Sequence, residues 1–280
     1  MSEPPRLTVA LTFDHDAISD SVRRGDPPVK VSHAEFGPRV GVPRILELLA
    51  REEIASTWFV PGHSLVTFGE NTDAILAGGH ELACHGWFHE DATELSPDEE
   101  RAILERSVVA VVARTGRPPA GYRAPYWALS PATLELVEAA GFRYDSSLMA
   151  DDYRPYRVRR GDHHSTAEGT TWGEPAGLVE IPVYWALDDW AVFEPGGGRD
   201  GLRPASQVLE TWLAELRYAH EHAPGGVLTI TMHPECIGRG HRMAMLETFI
   251  GEARALPGVA FERLDIVVER WLADEARSRG

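Results

Sequence analysis

Short β-rich runs alternate with helical patterns along nearly the whole chain, and this alternation restricts the fold more than any single motif does. Residues 7–13, 55–60, 81–85, 121–125, 143–146, 178–183, 227–232 and 259–261 carry strand-like patterns. Between them, residues 42–52 place Val42, Ile45, Leu46, Leu48 and Leu49 on one helical stripe. Ser96-Pro97-Asp98-Glu99 opens a second helix with an N-cap, a proline at the first helical position and a capping-box glutamate. Ser130-Pro131 opens a third that stops at Gly141, and residues 206–222, 241–256 and 265–276 add further helices. About seven or eight such alternations fit a parallel sheet covered by its crossover helices. The expected fold class is therefore α/β: a distorted (β/α)7–8 barrel, closed or nearly closed, in a single domain over residues 1–280. Residues 19–38 form a polar, Gly/Pro-rich excursion. Residues 149–177, and 195–204 with Gly196-Gly197-Gly198, read as loops that either cap an active site or run over the surface.

In a barrel of parallel strands, side chains at the strand C-terminal ends share one mouth. Asp14 and Asp16 end the first strand, His85 and His89 follow the third, Arg123 to Tyr126 end another, and His233 directly follows residues 227–232. On a helical turn, His85 and His89 would share a face and could hold one metal ion, leaving room for a carboxylate and water. With twelve histidines in the chain, an isolated pair at this spacing also arises without any ion. Asp14 and Asp16 alone would equally serve as a helix cap or Asx turn. Taken together, the clusters are hard to explain by core packing, and two neighbouring carboxylates are best reconciled by a cation that binds one and leaves the other as a base. His80-Glu81 does not start a zinc-protease H-E-x-x-H motif, because the next histidine, His85, lies one residue too far.

Charge narrows the partners. Twenty-seven basic against forty-three acidic residues give −16, a field that opposes nucleic acid and anionic membranes, so neither is an expected partner. The densest basic group, Arg154 with Arg157, Arg159 and Arg160, alternates with Tyr and Val as a solvated strand or loop would. No secretory pattern precedes the first strand and no window is apolar enough to cross a bilayer, so a cytoplasmic protein is expected. Two cysteines, Cys84 and Cys236, rule out a disulfide framework. Cys84 reads as a small buried hydrophobe at a strand end.

The ordered motifs resemble those of the polysaccharide deacetylase superfamily, the fourth carbohydrate-esterase family and its amidohydrolase relatives. The resemblance covers nearly the whole chain: Thr12-Phe13-Asp14-His15-Asp16, in which one residue is inserted between the aspartates, His85 and His89 with Gly86, Arg123-Ala124-Pro125-Tyr126, Leu187-Asp188-Asp189-Trp190, and Thr229-Ile230-Thr231-Met232-His233-Pro234. The spaced D-x-D, the H-G-x-x-H-E form, Pro61-Gly62-His63-Ser64 and Ile237-Gly238-Arg239-Gly240-His241-Arg242 look more like a cytoplasmic branch. That branch mixes peptidoglycan deacetylases with cyclic imide hydrolases and allantoinases.

Carried over by motif position, the resemblance implies a hydrolase of non-peptide carbon–nitrogen bonds. Asp16, His85 and His89 would bind a divalent ion, zinc first, with iron, cobalt, nickel and manganese also compatible. Asp14 would act as general base, His233 as general acid, and Arg123 would hold Asp14 ionised. Tyr126, through its backbone N–H, and Asp189 and Trp190 are expected at the oxyanion or substrate. The insert of residues 17–41 and the aromatic residues Trp172, Tyr184, Trp185 and Trp190 could shape a pocket or bury a subunit contact. A small cyclic imide, ureide or related amide is placed ahead of an N-acetylated sugar or peptidoglycan fragment, because the chain shows no export signal and is acidic. A catalytically silent metal-binding or assembly barrel is the reading from another class, and intact Asp14 and His233 argue against it. The resembled branch implies a homo-oligomer, dimer or tetramer.

Overall fold

A computed structural model describes residues 4–194 and 202–279, so the Gly196-Gly197-Gly198 loop lies outside the described residues. The strands are β1 (Leu7–Asp14), β2 (Thr57–Val60), β3 (Glu81–Cys84), β4 (Gly121–Tyr122), β5 (Tyr144–Asp145), β6 (Tyr156–Arg160), β7 (His163–Ser165), β8 (Gly169–Thr171), β9 (Glu174–Glu180), β10 (Gly226–Met232) and β11 (Val259–Phe261). Their order is β10-β1-β2-β3-β4-β5-β9-β6, with β11 also paired to β1. Every neighbouring pair is parallel except β6 with β9, and β7 with β8 form a separate antiparallel hairpin.

The sheet is a curled half-barrel, the distorted form of the expected α/β barrel, and its ends stay incompletely joined among the described residues. The reason lies in residues 149–177, which sequence pattern assigned to a loop. They form β6, the β7–β8 hairpin and the start of β9, and β6 folds back antiparallel on the edge that closure would need. The basic Arg157, Arg159 and Arg160 do lie on a partly solvated strand.

The helices are α1 (Ser19–Arg24), α2 (Pro28–Phe36), α3 (Val42–Arg51), α4 (Gly62–Thr67), α5 (Gly69–Ala77), α6 (Pro97–Thr115), α7 (Thr133–Ala139), α8 (Asp189–Phe193), α9 (Ala205–His222), α10 (Pro234–Ile237), α11 (Gly240–Ala255) and α12 (Leu264–Arg279). The α6 capping box is present: the Ser96 N–H donates to Glu99 Oε2 at 2.9 Å, and the Glu99 N–H to Ser96 Oγ at 3.4 Å. The excursion over residues 19–38 contains α1 and α2. Each is short and broken by Gly25 or Pro27, so no helical period accumulates.

Strand alternation decides what faces the site. In β1, Leu7, Val9, Leu11 and Phe13 join the apolar cluster that includes Val42, Ile45, Leu48 and Leu49 of α3 and Trp212 of α9. Ala10 joins the opposite cluster, with Phe59, Tyr144 and Leu264, Val267 and Val268 of α12. Successive side chains point to opposite faces, so Thr12 and Asp14 share Ala10's side. All eight residues of β1 and all seven of β10 are buried, as expected where both faces of a parallel sheet are covered.

Candidate active site

The His85–His89 segment is a loop, not the helical turn expected from its spacing. Gly86 has φ +70° and His89 φ +59°. The Trp87 N–H donates to Glu90 Oε2 at 2.9 Å, and the Gly86 carbonyl accepts from the Gly62 N–H and from Ser107 Oγ. These bonds curl the loop until the two rings lie 4.9 Å apart between centroids. His89 occupies a left-handed backbone conformation that costs a non-glycine residue about 1–3 kcal/mol, a strain characteristic of ligand clamps.

Both imidazoles meet Asp16. His85 Nδ1 lies 2.7 Å from the Arg123 carbonyl, so Nδ1 carries the proton and the Nε2 lone pair faces the carboxylates. That Nε2 is 3.5 Å from Asp16 Oδ1 and 3.7 Å from Asp14 Oδ2, while His89 Nε2 is 3.4 Å from Asp16 Oδ2. Separations near 3.4 Å match the roughly 3.3 Å edge of a tetrahedral ligand set around an ion about 2.0 Å from each atom. Burial pushes His85 down to about 4 and His89 well below the ordinary histidine value, so both rings are neutral, as ligands must be. Burial raises the Asp16 carboxyl well above its ordinary range, and Glu235, Asp14 and Asp20 add to this against the opposing charge of His233. Asp16 Oδ1 and His89 Nδ1 are buried without a hydrogen-bond partner among the described residues. A divalent cation between Asp16, His85 and His89 supplies the charge this cluster lacks, so the donor set fits a metal.

Asp14 is the opposite case. Arg123 Nη1 donates to Asp14 Oδ1 at 2.7 Å and to Thr12 Oγ1 at 3.0 Å. The rest of the guanidinium is pinned by the Ser146 carbonyl at 2.9 Å and Ser146 Oγ at 3.0 Å, and it stacks over Phe59 at 4.0 Å. Burial would raise the Asp14 carboxyl, but the charges of Arg123, His85 and His233 outweigh it and hold the pKa below its usual value. Arg123 is fully buried, as a guanidinium can be only when so fully bonded.

His233 Nε2 reaches the same space, 4.0 Å from Asp14 Oδ2 and 3.9 Å from Asp16 Oδ2. Its other face is held by Asp189, whose Oδ1 is 2.8 Å from Nδ1. Burial would lower this imidazole's pKa, yet the Asp189 bond and the charges of Asp188, Asp189 and Asp14 hold it well above the ordinary value. Asp189, expected at the substrate, is instead wholly buried behind His233, with Oδ1 spent on it. Trp190 does border the mouth, half-exposed, its ring 5.4 Å from that of His233. Tyr126 is exposed at φ +58°, its ring 4.3 Å from that of His89, and its N–H makes no hydrogen bond among the described residues.

Several contributors carry little signal in the sequence. Glu235, buried under the mouth and pushed up to about 7 by burial despite the His233 charge, follows His233-Pro234; that adjacency was its only signal. The turn of residues 37–41 packs on α10 so tightly that a Cβ on Gly41 would overlap the Pro234 carbonyl. Ser19 Oγ bonds Ser64 Oγ at 2.7 Å, and Ser64 Oγ donates to the Asp16 carbonyl at 2.6 Å, tying α1 to the loop that carries Asp16. Cys84 is a buried thiol whose pKa burial pushes up, consistent with packing.

A polysaccharide deacetylase family model matches residues 2–144. The chain is 32% identical to a peptidoglycan deacetylase of Helicobacter pylori over 98% of this chain and 99% of that protein. It is 30% identical to a peptidoglycan deacetylase-like protein of Gibberella zeae, over 96% of this chain and 88% of that one. Among solved structures, one described as a putative polysaccharide deacetylase from Mycobacterium smegmatis superposes with a TM-score of 0.83 at 35% identity, covering 98% and 93% of the two chains. An allantoinase superposes with a TM-score of 0.82 over 96% and 91%, but at 23% identity this likeness concerns the fold alone. No helix among the described residues is long and apolar enough to cross a membrane. The chain belongs to the polysaccharide deacetylase family and is a hydrolase of carbon–nitrogen amide bonds.

Proposed function

We propose that this protein removes N-acetyl groups from saccharides of the peptidoglycan type, with Asp16, His85 and His89 holding a divalent ion, zinc first. A divalent ion there would supply Lewis acidity to an amide carbonyl and lower the pKa of water. The observation that carries the reading is the opposition of Asp14 and His233: one is held ionised by Arg123, the other protonated by Asp189, and the two face each other at 4.0 Å. Environments that push two titratable groups apart in this way assign base and acid.

Asp14 Oδ2 takes the proton of the attacking water, since Oδ1 is engaged by Arg123. His233 Nε2 returns a proton to the departing nitrogen, an otherwise poor leaving group, while Asp189 keeps Nδ1 protonated and the ring in place. The free Tyr126 N–H is the donor available to a developing oxyanion.

Sequence alone favours a cyclic imide or ureide over an N-acetylated sugar. That order is reversed here, because one relative matched over 99% of its length is named a peptidoglycan deacetylase and another, over 88%, peptidoglycan deacetylase-like, while the allantoinase likeness is one of fold. Metal-reconstituted protein is expected to release acetate from an N-acetylated glycan, with one new amine per acetate and loss of turnover on chelation. Ring opening of succinimide or allantoin without acetate release from any glycan would reject the deacetylase reading.

A further inference from the structure

The mouth is crowded with acids. Asp14, Asp16, Asp188, Asp189 and Glu235 are all buried around it, in a chain of net charge −16. A substrate bearing its own negative charge away from the reacting amide needs a cation outside this cluster to receive it. Arg23, on α1 in the insert after the Asp14-His15-Asp16 motif, is placed to do so. Its Nη2 donates to Asp20 Oδ1 at 2.7 Å and to Tyr126 Oη at 3.1 Å. Tyr126 in turn lies ring against ring on His89, so the guanidinium stands one aromatic ring from the metal cluster.

Three features make this arginine a docking group rather than an ordinary surface ion pair. Its helix is fixed to the site: the Ser19 N–H donates to the Asp16 carbonyl at 3.0 Å, and Ser19 Oγ bonds Ser64 and His63. Its counter-charge is shared, because Asp20 also lies 3.8 Å from Arg24, leaving two guanidiniums on one carboxylate. And its Nε and Nη1 have no partner among the described residues, while the side chain keeps 27% of its surface exposed. Free guanidinium donors match a carboxylate.

We propose that Arg23 is a specificity-determining residue that receives a carboxylate of the substrate, so that the preferred substrates are acidic N-acetylated saccharides rather than neutral ones. This rests on the deacetylase reading above.

The test compares the metal-loaded full chain on two tetrasaccharides: one of N-acetylglucosamine only, and one alternating it with N-acetylmuramic acid, whose lactyl ether carries a free carboxylate. Wild type is expected to favour the acidic tetramer in kcat/KM by about 10- to 100-fold, the range of one charge-assisted hydrogen bond. Arg23→Gln should collapse the ratio toward one, Arg23→Lys should keep part of it, and added salt should narrow it. Acetate release from both tetramers with no preference in wild type, or with a preference that survives in Arg23→Gln, would overturn the assignment and leave the deacetylase reading standing. No acetate from either would remove both.

Discussion

Asp189 grips His233 twice through one oxygen: Oδ1 accepts the ring Nδ1–H at 2.8 Å and the backbone N–H at 3.0 Å. The pair keeps Nδ1 protonated, so the second proton of the imidazolium sits on Nε2 and faces Asp14. Asp189→Asn removes the charge that holds the imidazole protonated, and kcat is expected to fall by about 10²-fold, at the low end for disabling a general acid. An acid must be protonated to act, so lowering its pKa moves the alkaline limb of the pH–rate profile to lower pH. An unmoved limb would show that His233 is not the group titrating there.

His85→Ala and Asp16→Ala each delete one of three converging donors. Bound metal, read by elemental analysis, and amide hydrolysis should disappear together. His233→Ala, by contrast, should retain the ion and lose turnover by about 10²–10⁴-fold. Full activity in metal-free His85→Ala would sink the ligand assignment.

Arg123 has no exposed surface and binds Asp14, Thr12 and Ser146 at once. Arg123→Ala leaves Asp14 a buried, unpaired carboxylate, which should cost about 3–5 kcal/mol in denaturant unfolding. In whatever fraction stays folded, the Asp14 pKa rises. A base must be deprotonated to act, so the acid limb of the rate profile moves to higher pH. Arg123→Lys cannot reproduce the fork to both serine oxygens and Asp14, and should rescue poorly. A stable variant with an unchanged acid limb would contradict this account.

What the sequence made legible was local. The strand of Leu7–Asp14, the Ser96 capping box and the histidine directly after Gly226–Met232 each depend on neighbours a few residues away. The His85–His89 spacing predicted convergence correctly by the wrong route, since a loop with Gly86 at positive φ, not a helix face, brings the rings together. What stayed hidden depends on distant partners. Asp189 spends Oδ1 on His233, a residue 44 positions on. The edge strand Tyr156–Arg160 becomes a strand only because Glu174–Glu180 offers it an antiparallel edge. Arg23 gains meaning only where Tyr126 reaches it from 103 positions away.

A pH-dependent loss of stability should arise away from the chemistry, at His80. This ring is buried, and its Nδ1 accepts from the Ser56 N–H at 3.1 Å, next to Ser56 Oγ at 3.0 Å. Burial, with the nearby Arg263 charge, pushes its pKa down to about 4 from the ordinary 6.5. The unfolded chain therefore takes up a proton below pH 6.5 that the folded chain refuses until about 4. The stabilisation is complete above 6.5 and is lost as pH falls across that window, at a slope of up to about 1.4 kcal/mol per pH unit. His80→Asn keeps an oxygen that can accept the Ser56 N–H but cannot titrate. Urea unfolding of wild type and His80→Asn at a series of pH values should show a shallower decline in the variant. Parallel curves would mean that the ring is already protonated in the folded protein.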